Sequence, residues 1–169
     1  MDVVIRRERP EEFPQIYDLV KLAFETAKVS NGQEQDFVDG LRAGGSYLPE
    51  LALVAAADER LIGHIMLTRA CISEGDRKTE TLLLAPVSVA LEHRSKGIGS
   101  LLINRSMELA RDLEHRSVVL VGDPAYYNRF GFRRSSDFGI SHPGIPEQYV
   151  LAYELIPGAL AGVSGTIEY

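Results

Sequence analysis

The sequence predicts an α+β fold in which helices flank a central mixed sheet. Three observations support this prediction: an amphipathic helical pattern near the start of the chain, three consecutive strand patterns in its middle, and a strand that enters a helix through a glycine-containing turn. The predicted order is strand, two helices, three strands, helix, strand, helix, strand and strand. A chain of 169 residues has the usual size of one domain, and we expect residues 1–169 to form a single domain.

In the first half of the chain, hydrophobic spacing separates helices from strands. Pro10 opens a helix because proline suits the first turn, and Phe13, Ile16 and Val20 repeat at the helical period. Apolar runs bounded by turn residues predict strands, two of which form a hairpin. The predicted elements are a strand at 3–6, helices at 10–27 and 33–42, and strands at 51–57 and 61–72.

The second half continues with strands and helices in alternation. A loop at 73–78 leads to a strand at 79–91, and a helical pattern at 101–113 is followed by a strand at 117–122. The end of the chain, at about 157–169, is rich in glycine. We expect it to be a folded extension that either covers a sheet edge or serves an interface.

The turn at 94–100 reads Arg-Ser-Lys-Gly-Ile-Gly-Ser and connects a strand to a helix. Backbone N–H groups at the start of a helix are free and the helix dipole favours an anion there, so we expect this turn to bind phosphate. Two well-known nucleotide loops do not fit. A Walker loop requires a longer glycine loop that ends in lysine and then serine or threonine, and a dinucleotide-binding turn requires a third glycine where Leu102 stands.

A second motif follows the next strand, where residues 127–132 read Tyr-Asn-Arg-Phe-Gly-Phe. The Arg-x-x-Gly-x-Gly turn and this Tyr-x-x-x-Gly-Phe segment, in this order and at this spacing, resemble the GNAT superfamily of N-acetyltransferases. The resemblance covers nearly the whole chain, and the end of the chain looks like that of a bacterial subgroup, the YhbS-like proteins. It implies a mixed, mostly antiparallel sheet that is splayed between its fourth and fifth strands, where acetyl-CoA lies.

The resemblance also implies which residues bind acetyl-CoA. Backbone amides of the turn hold the pyrophosphate, Arg94 and Lys96 add positive charge, and the glycines permit close approach of the backbone. The preceding strand is expected to carry a bulge at 85–89, and Pro86 supports this because proline cannot donate to a sheet ladder. There the backbone would bind the pantetheine arm, and the N–H of Val87 would face the thioester oxygen. The predicted cofactor-binding residues are Val87, Ser88, Val89, Arg94, Ser95, Lys96, Gly97, Ile98, Gly99 and Ser100.

Two positions depart from the family pattern. The family commonly has a proline near Leu91 and a glycine near Ser95. Leucine and serine both keep their backbone N–H groups, so we expect cofactor binding to survive these changes.

Tyr127 is the candidate general acid, since a phenol with a pKa of about 10 is mostly protonated at neutral pH and can protonate the departing CoA thiolate. Phe130 and Phe132 are expected in the core. The base that deprotonates the amine is open among Glu34, His64 and Ser88, acting directly or through water. The resemblance therefore predicts an acetyl-CoA-dependent N-acetyltransferase in which an amine attacks the thioester directly in a ternary complex.

A non-catalytic CoA- or acyl-CoA-binding regulatory module of the same fold is the competing function. Such a module needs the phosphate turn but does not need Tyr127. The amine acceptor is open as well, because a small aminated metabolite, an antibiotic or a protein amino group each fits, and the sequence does not restrict the acyl group to acetyl. Dimers are common in the resembling family, so a homodimer is a further expectation.

Composition argues against several other classes of protein. The net charge of −6 disfavours a nucleic-acid binder, for which a basic face is expected. No apolar run approaches the roughly 20 residues that span a bilayer, and the N-terminus lacks a signal-peptide layout, so we expect a cytoplasmic protein.

The single cysteine, Cys71, excludes an intramolecular disulfide and is expected to be a buried core residue. We predict no metal, because metal-ligand spacing is missing among His93, His115 and His142.

Overall fold

The computed structural model describes residues 2–27 and 29–169. In this part of the chain the strands are β1 (Val4–Arg7), β2 (Ala52–Ala57), β3 (Arg60–Glu74), β4 (Arg77–Val89), β5 (Ser117–Val121), β6 (Arg133–Arg134), β7 (Ile140–Ser141), β8 (Val150–Glu154) and β9 (Gly165–Glu168). The helices are α1 (Phe13–Phe24), α2 (Glu34–Ala43), α3 (Ile98–Asp112) and α4 (Pro124–Tyr127). This order confirms the predicted α+β class.

The chain divides into two compact units. The first unit comprises the described residues within Met1–Thr68 together with Ala85–Leu109. The second comprises Arg69–Leu84 and Ala110–Tyr169. The long elements β3, β4 and α3 contribute residues to both units. That residues 1–169 act as one domain stays a prediction.

In the first unit, three antiparallel strands carry two helices. β1 pairs with β2 and β2 pairs with β3, with Val54 opposite both Arg6 and His64. The turn from β2 to β3 is tight, and Asp58 and Glu59 both adopt left-handed backbone angles, with φ of 51° and 63°. That conformation suits a two-residue hairpin because it matches the twist of the strands. The core beneath α1 and α2 is formed by Ile16, Val20, Val38, Ala52, Val54 and Met66.

In the second unit, β5 lies between one parallel and one antiparallel neighbour. It pairs in parallel with β4 at Leu82 and Leu83, and antiparallel with β8 along its whole length. The Thr81 and Ser117 hydroxyls share a buried hydrogen bond of 2.7 Å next to the parallel pairs. The pairing between β4 and β5 ends at Leu83, although β4 continues to Val89. Most pairings in the sheet are antiparallel, as predicted.

The predicted C-terminal extension is folded. Its strand β9 pairs antiparallel with residues 71–73 of β3, beyond the part of β3 that pairs with β2, and it pairs in parallel with β7. Gly165 has a φ of 129°, and a Cβ there would collide with the carbonyl oxygen of Ser73, so glycine is required at the start of β9. Cys71 is only half-buried instead of buried, and its thiol lies 3.8 Å from the Glu168 carboxylate.

Several predicted boundaries were wrong, since α1 ends at Phe24 instead of 27 and β4 ends at Val89 instead of 91, and two further differences change the interpretation. The loop expected at 73–78 is a tight hairpin turn, because β3 continues to Glu74 and β4 starts at Arg77, with Gly75 in a left-handed conformation at φ 59°. α3 begins at Ile98, three residues before the predicted start at 101, so the helix N-terminus lies inside the phosphate turn. Among the described helices, none has the length and apolar character needed to cross a membrane.

Candidate active site

The turn between β4 and α3 presents unpaired backbone amides. A 3₁₀ turn at Leu91–His93 follows β4, and the first backbone hydrogen bond that enters α3 runs from the Leu101 N–H to the Gly97 carbonyl, at 3.0 Å. In the described part of the chain, the amides of residues 95–100 donate to no backbone carbonyl. They sit at the positive end of a 15-residue helix, which is the arrangement that binds anions.

Gly97 leaves room above this turn. Its φ is +81°, and no atom lies within 4 Å of the position that a Cβ would occupy. A larger side chain would therefore be strained and would fill space that a ligand needs to reach the amides. Ser95 is also left-handed, at φ 61°, a conformation that favours glycine, which the resembling family commonly has near this position. The substitution keeps the amide, as expected, but it carries a conformational cost that the sequence did not reveal.

A second glycine, Gly63, allows α3 to pack closely on the sheet. A Cβ on Gly63 of β3 would lie 2.9 Å from Leu102 Cδ1, 3.2 Å from Ile98 Cγ2 and 3.2 Å from the Ser88 carbonyl oxygen. The absence of a side chain lets the first turn of α3 approach β3 beside the end of β4. The sequence analysis missed Gly63, although a glycine inside a strand pattern is a signal for close approach.

The two cationic side chains of the turn have different environments. The Arg94 guanidinium donates to the Thr26 hydroxyl at 3.0 Å and to the Ala23 carbonyl, both at the C-terminal end of α1. A cation is favourable there because of the helix dipole. Lys96 is exposed and forms no ion pair within the described residues. Lys96 is thus the cation of this turn that is free to meet an anion.

The end of β4 lies beside this turn in the same unit. Val87 and Val89 are partly buried, whereas Ser88 is 2% exposed and its hydroxyl has no partner among the described residues. β4 is no longer paired with β5 at these positions. The predicted bulge at 85–89 stays a prediction, since β4 continues as a strand through Pro86 to Val89. All predicted cofactor-binding residues thus belong to the first unit.

Tyr127 lies in the second unit, at the end of α4. Asp123 caps this helix by accepting a hydrogen bond from the Ala125 N–H at 3.0 Å. The Tyr127 ring packs 5.9 Å from the ring of Phe132, and Gly131 reverses the chain between them with a φ of 95°. Phe132 is 2% exposed, which confirms its place in the core, but Phe130 is only half-buried.

The environment of Tyr127 keeps its phenol protonated. Burial raises the pKa of Tyr127, and the nearby Tyr126 and Asp123 raise it further. No hydrogen bond within the described residues engages its hydroxyl, so the proton is available for donation. These properties suit a general acid more than a base.

The three candidate bases differ in their surroundings. The Glu34 carboxylate, at the start of α2, accepts hydrogen bonds from the Ser30 hydroxyl at 2.9 Å and from the Asn31 N–H at 3.0 Å. His64 is fully buried, and its Nε2 lies 2.9 Å from Glu8 Oε1. The Ser88 hydroxyl has no basic neighbour among the described residues.

Glu8 is the centre of a buried polar network that the sequence analysis missed. Its carboxylate accepts two hydrogen bonds of 2.8 Å from Arg42 and one of 2.6 Å from the Tyr47 hydroxyl, besides the contact with His64. Burial alone would raise the pKa of Glu8, but the hydrogen bonds from Arg42, His64 and Tyr47 outweigh it and lower the pKa to about 2. Burial lowers the pKa of His64. The network has no local sequence signature because its members are far apart along the chain.

No group of three or more histidine, cysteine, aspartate or glutamate side chains that could hold a metal ion is present in the described ranges.

The family described as "Acetyltransferase (GNAT) domain" matches residues 4–135. The chain is 30% identical to the uncharacterized N-acetyltransferase YhbS of Escherichia coli strain K12, in an alignment of 170 positions that covers 99% of this chain and 96% of that protein. It is 33% identical to the uncharacterized N-acetyltransferase YjhQ of the same strain over 74% of this chain and 70% of YjhQ. The chain therefore belongs to the GNAT acetyltransferase family.

Solved structures agree with this assignment. The E. coli YhbS protein in complex with CoA has a TM-score of 0.87 at 29% identity, and the match covers 99% of this chain and 89% of that one. A GNAT family acetyltransferase from Brucella melitensis in complex with acetyl-CoA has a TM-score of 0.80 at 30% identity, covering 99% and 96% of the two chains. The resemblance inferred from the two motifs is thus confirmed.

Proposed function

We propose that this protein is an acetyl-CoA-dependent N-acetyltransferase that joins an acetyl group to an amine acceptor by direct attack in a ternary complex. The observation that carries the proposal is the turn of residues 95–100, whose amides are unpaired at the start of α3. The proposal is further supported by family membership and by the CoA and acetyl-CoA complexes of two relatives.

The turn binds the pyrophosphate of acetyl-CoA through backbone N–H groups and the helix dipole. Lys96 adds a screened positive charge from its exposed position. The open space above Gly97 lets the pyrophosphate approach the amides. Arg94 acts indirectly, because its side chain fixes the turn to the end of α1 by donating hydrogen bonds to the Ala23 carbonyl and the Thr26 hydroxyl.

The end of β4 binds the pantetheine arm and the thioester. Acetyl-CoA supplies an activated acyl group in the form of a thioester. The backbone of Val87 and Val89 hydrogen-bonds the arm, and the Val87 N–H donates to the thioester oxygen as negative charge develops on it. In enzymes that catalyse acyl transfer, a fixed hydrogen-bond donor at such a position lowers the activation barrier by about 3–4 kcal/mol.

Tyr127 donates its phenolic proton to the sulfur that leaves when the C–S bond breaks. The raised pKa of Tyr127 keeps the donor form fully populated at neutral pH. The acceptor is an amine, either a small molecule or a protein amino group. Holding both substrates together contributes the entropic part of the rate enhancement.

Calorimetric titration with CoA tests the binding part of the proposal. The Gly97→Trp variant is expected to lose CoA affinity by at least about tenfold, because the indole fills the space above the amides. Gly158→Trp is the matched control, since Gly158 has a φ of +82° and equally open surroundings outside the turn. Equal CoA affinity for both variants would contradict the assignment of the turn.

Tyr127 separates the enzyme from a non-catalytic CoA-binding module. A binding module tolerates the loss of the Tyr127 hydroxyl, whereas the enzyme loses turnover and keeps its affinity for CoA.

A further inference from the structure

His64 and Glu8 form a buried dyad with a defined tautomer. Glu8 is ionised at neutral pH, because its pKa is lowered to about 2, and a carboxylate can only accept hydrogen bonds. The proton in the 2.9 Å contact must therefore reside on His64 Nε2. Neutral imidazole carries one proton, so Nδ1 of His64 has a free lone pair.

That lone pair has no partner among residues 2–27 and 29–169. His64 is fully buried, and no group of the described residues reaches its Nδ1. Buried polar atoms without a partner are rare, and they are usually satisfied by ordered water or have a functional reason. The other polar groups of the cluster, Arg42 on α2 and Tyr47 before β2, are both directed at Glu8. They hold the carboxylate and leave Nδ1 unengaged.

The neighbour of His64, Gly63, shows on which face of β3 the imidazole lies. A Cβ on Gly63 would meet the Ser88 carbonyl of β4 and the first turn of α3. Side chains alternate along a strand, so His64 points to the opposite face of β3. That is the face of Met66, which packs with α1 and α2.

The other two candidate bases lack a free basic atom or a group that activates them. Both oxygens of the Glu34 carboxylate already accept hydrogen bonds from the segment before α2, one from Ser30 and one from Asn31. The Ser88 hydroxyl has no basic group to activate it. His64 combines a free lone pair with a carboxylate that fixes the ring, which is the arrangement of a base held by an orienting group.

We propose that His64, oriented by Glu8, accepts the first proton of the acceptor ammonium through one bridging water molecule. This inference rests on the proposed N-acetyltransferase function. The ammonium gives a proton to the water, the water gives one to Nδ1, and the freed amine lone pair forms the C–N bond as the C–S bond breaks. After attack the nitrogen loses its second proton, which passes through water to the Tyr127 phenolate and replaces the proton that Tyr127 gave to sulfur. Each turnover therefore releases one proton, from His64, to solvent. His64 is a relay residue here, since it acts through water.

The test compares His64→Gln with wild type. The Gln amide can still donate to Glu8 from the position of Nε2, but it has no basic nitrogen at the position of Nδ1. We expect kcat to fall by roughly 10²–10⁴-fold while the KM for acetyl-CoA and the melting temperature stay near those of wild type. The acid limb in the pH profile of kcat should disappear. Thr68→Val is the matched control, because Thr68 is an equally buried residue of β3 with an unpartnered hydroxyl, and its kcat profile should be unchanged.

NMR provides a readout that does not depend on activity. The ¹⁵N spectrum of His64 should show an unprotonated Nδ1 and a protonated Nε2 at neutral pH, and His64 should titrate with the acid limb of kcat. A protonated Nδ1, or a His64→Gln variant with wild-type turnover and pH profile, overturns the relay but leaves the transferase intact. Failure of wild type to release thiol with any amine refutes the proposed function itself, and the relay with it. If His64→Gln does not fold, the NMR result on wild type decides.

Discussion

The ring of Tyr127 occupies the space that a side chain on Gly122, the residue that follows β5, would need. A Cβ on Gly122 would be 2.6 Å from Cε2 and 3.1 Å from Cδ2 of that ring. The position of the candidate acid is therefore defined by a residue without a side chain on one side and by Phe132 on the other.

Adding a methyl group at Gly122 tests this relationship. Gly122→Ala must displace the Tyr127 ring, and overpacking of this kind costs about 1–3 kcal/mol. We expect a lower melting temperature together with reduced turnover and unchanged CoA affinity. Gly40→Ala on α2 is the control, since its Cβ would meet no atom within 4 Å. Wild-type turnover in Gly122→Ala would show that the ring position does not matter.

Removal of the Tyr127 hydroxyl tests the acid directly. Tyr127→Phe is expected to lower kcat by roughly 10²-fold or more, since the thiolate then leaves without a proton donor. CoA affinity, measured by calorimetry, should stay the same. The adjacent Tyr126→Phe variant controls for the loss of a phenol from the same helix. Equal kcat values for the two variants would argue against the role of Tyr127.

The left-handed backbone of Ser95 predicts that replacement by glycine stabilises the protein. A non-glycine residue in the left-handed conformation destabilises the folded state by about 1–2 kcal/mol. Glycine avoids this cost, but its greater conformational freedom in the unfolded chain offsets part of the gain in stability. Ser95→Gly should therefore raise the free energy of unfolding by up to about 1 kcal/mol and keep CoA binding. Chemical denaturation measures this difference. A clear loss of stability would mean that the Ser95 side chain contributes contacts that outweigh its backbone strain.

The Glu8 network predicts how stability depends on pH. The pKa of Glu8 is lowered from 4.5 to about 2 on folding, so its contribution is complete above about 4.5 and is lost as pH falls towards 2. Full loss corresponds to about 3 kcal/mol. The lowered pKa of His64 acts in the same direction, because below about 6.5 the unfolded state takes up a proton that the folded state does not.

Urea unfolding between pH 7.5 and 3 measures this effect. The free energy of unfolding should fall steadily with pH in wild type and less steeply in Glu8→Gln below pH 4.5. Glu8→Gln should also be destabilised by about 3–5 kcal/mol at neutral pH, since Arg42 then stays buried without its counter-charge. The exposed Glu108, paired with Arg105 on the surface, supplies the control Glu108→Gln, which should follow wild type. A pH-independent wild type would contradict the network.

Local features of the site could be predicted from the sequence. The turn from Arg94 to Ser100 consists of consecutive residues. Its free amides and its glycine spacing are properties of this short segment, so they can be recognised without knowledge of the fold. The same holds for the segment from Tyr127 to Phe132, where Gly131 reverses the chain as the motif requires.

Other features depend on contacts between distant residues. His64 and Glu8 are 56 positions apart, and Arg42 and Glu8 are 34 apart, so no local pattern brings them together. The requirement for glycine at Gly63 and at Gly122 likewise depends on which side chains fold against them. The segment 73–78 shows that a local pattern can also mislead. Its polar residues predict a loop, but β3 and β4 continue through them to a short turn at Gly75.

The most direct measurement of the central claim is acetyl-CoA turnover by thiol release, with wild type against a panel of small amines and amino-terminal peptides. We expect thiol release that depends on the amine for at least one acceptor class, lost in Tyr127→Phe and retained in Tyr126→Phe. Tight CoA binding without release for any amine would contradict an acetyltransferase and favour a CoA-binding module, and absence of CoA binding would refute the assignment of the site itself.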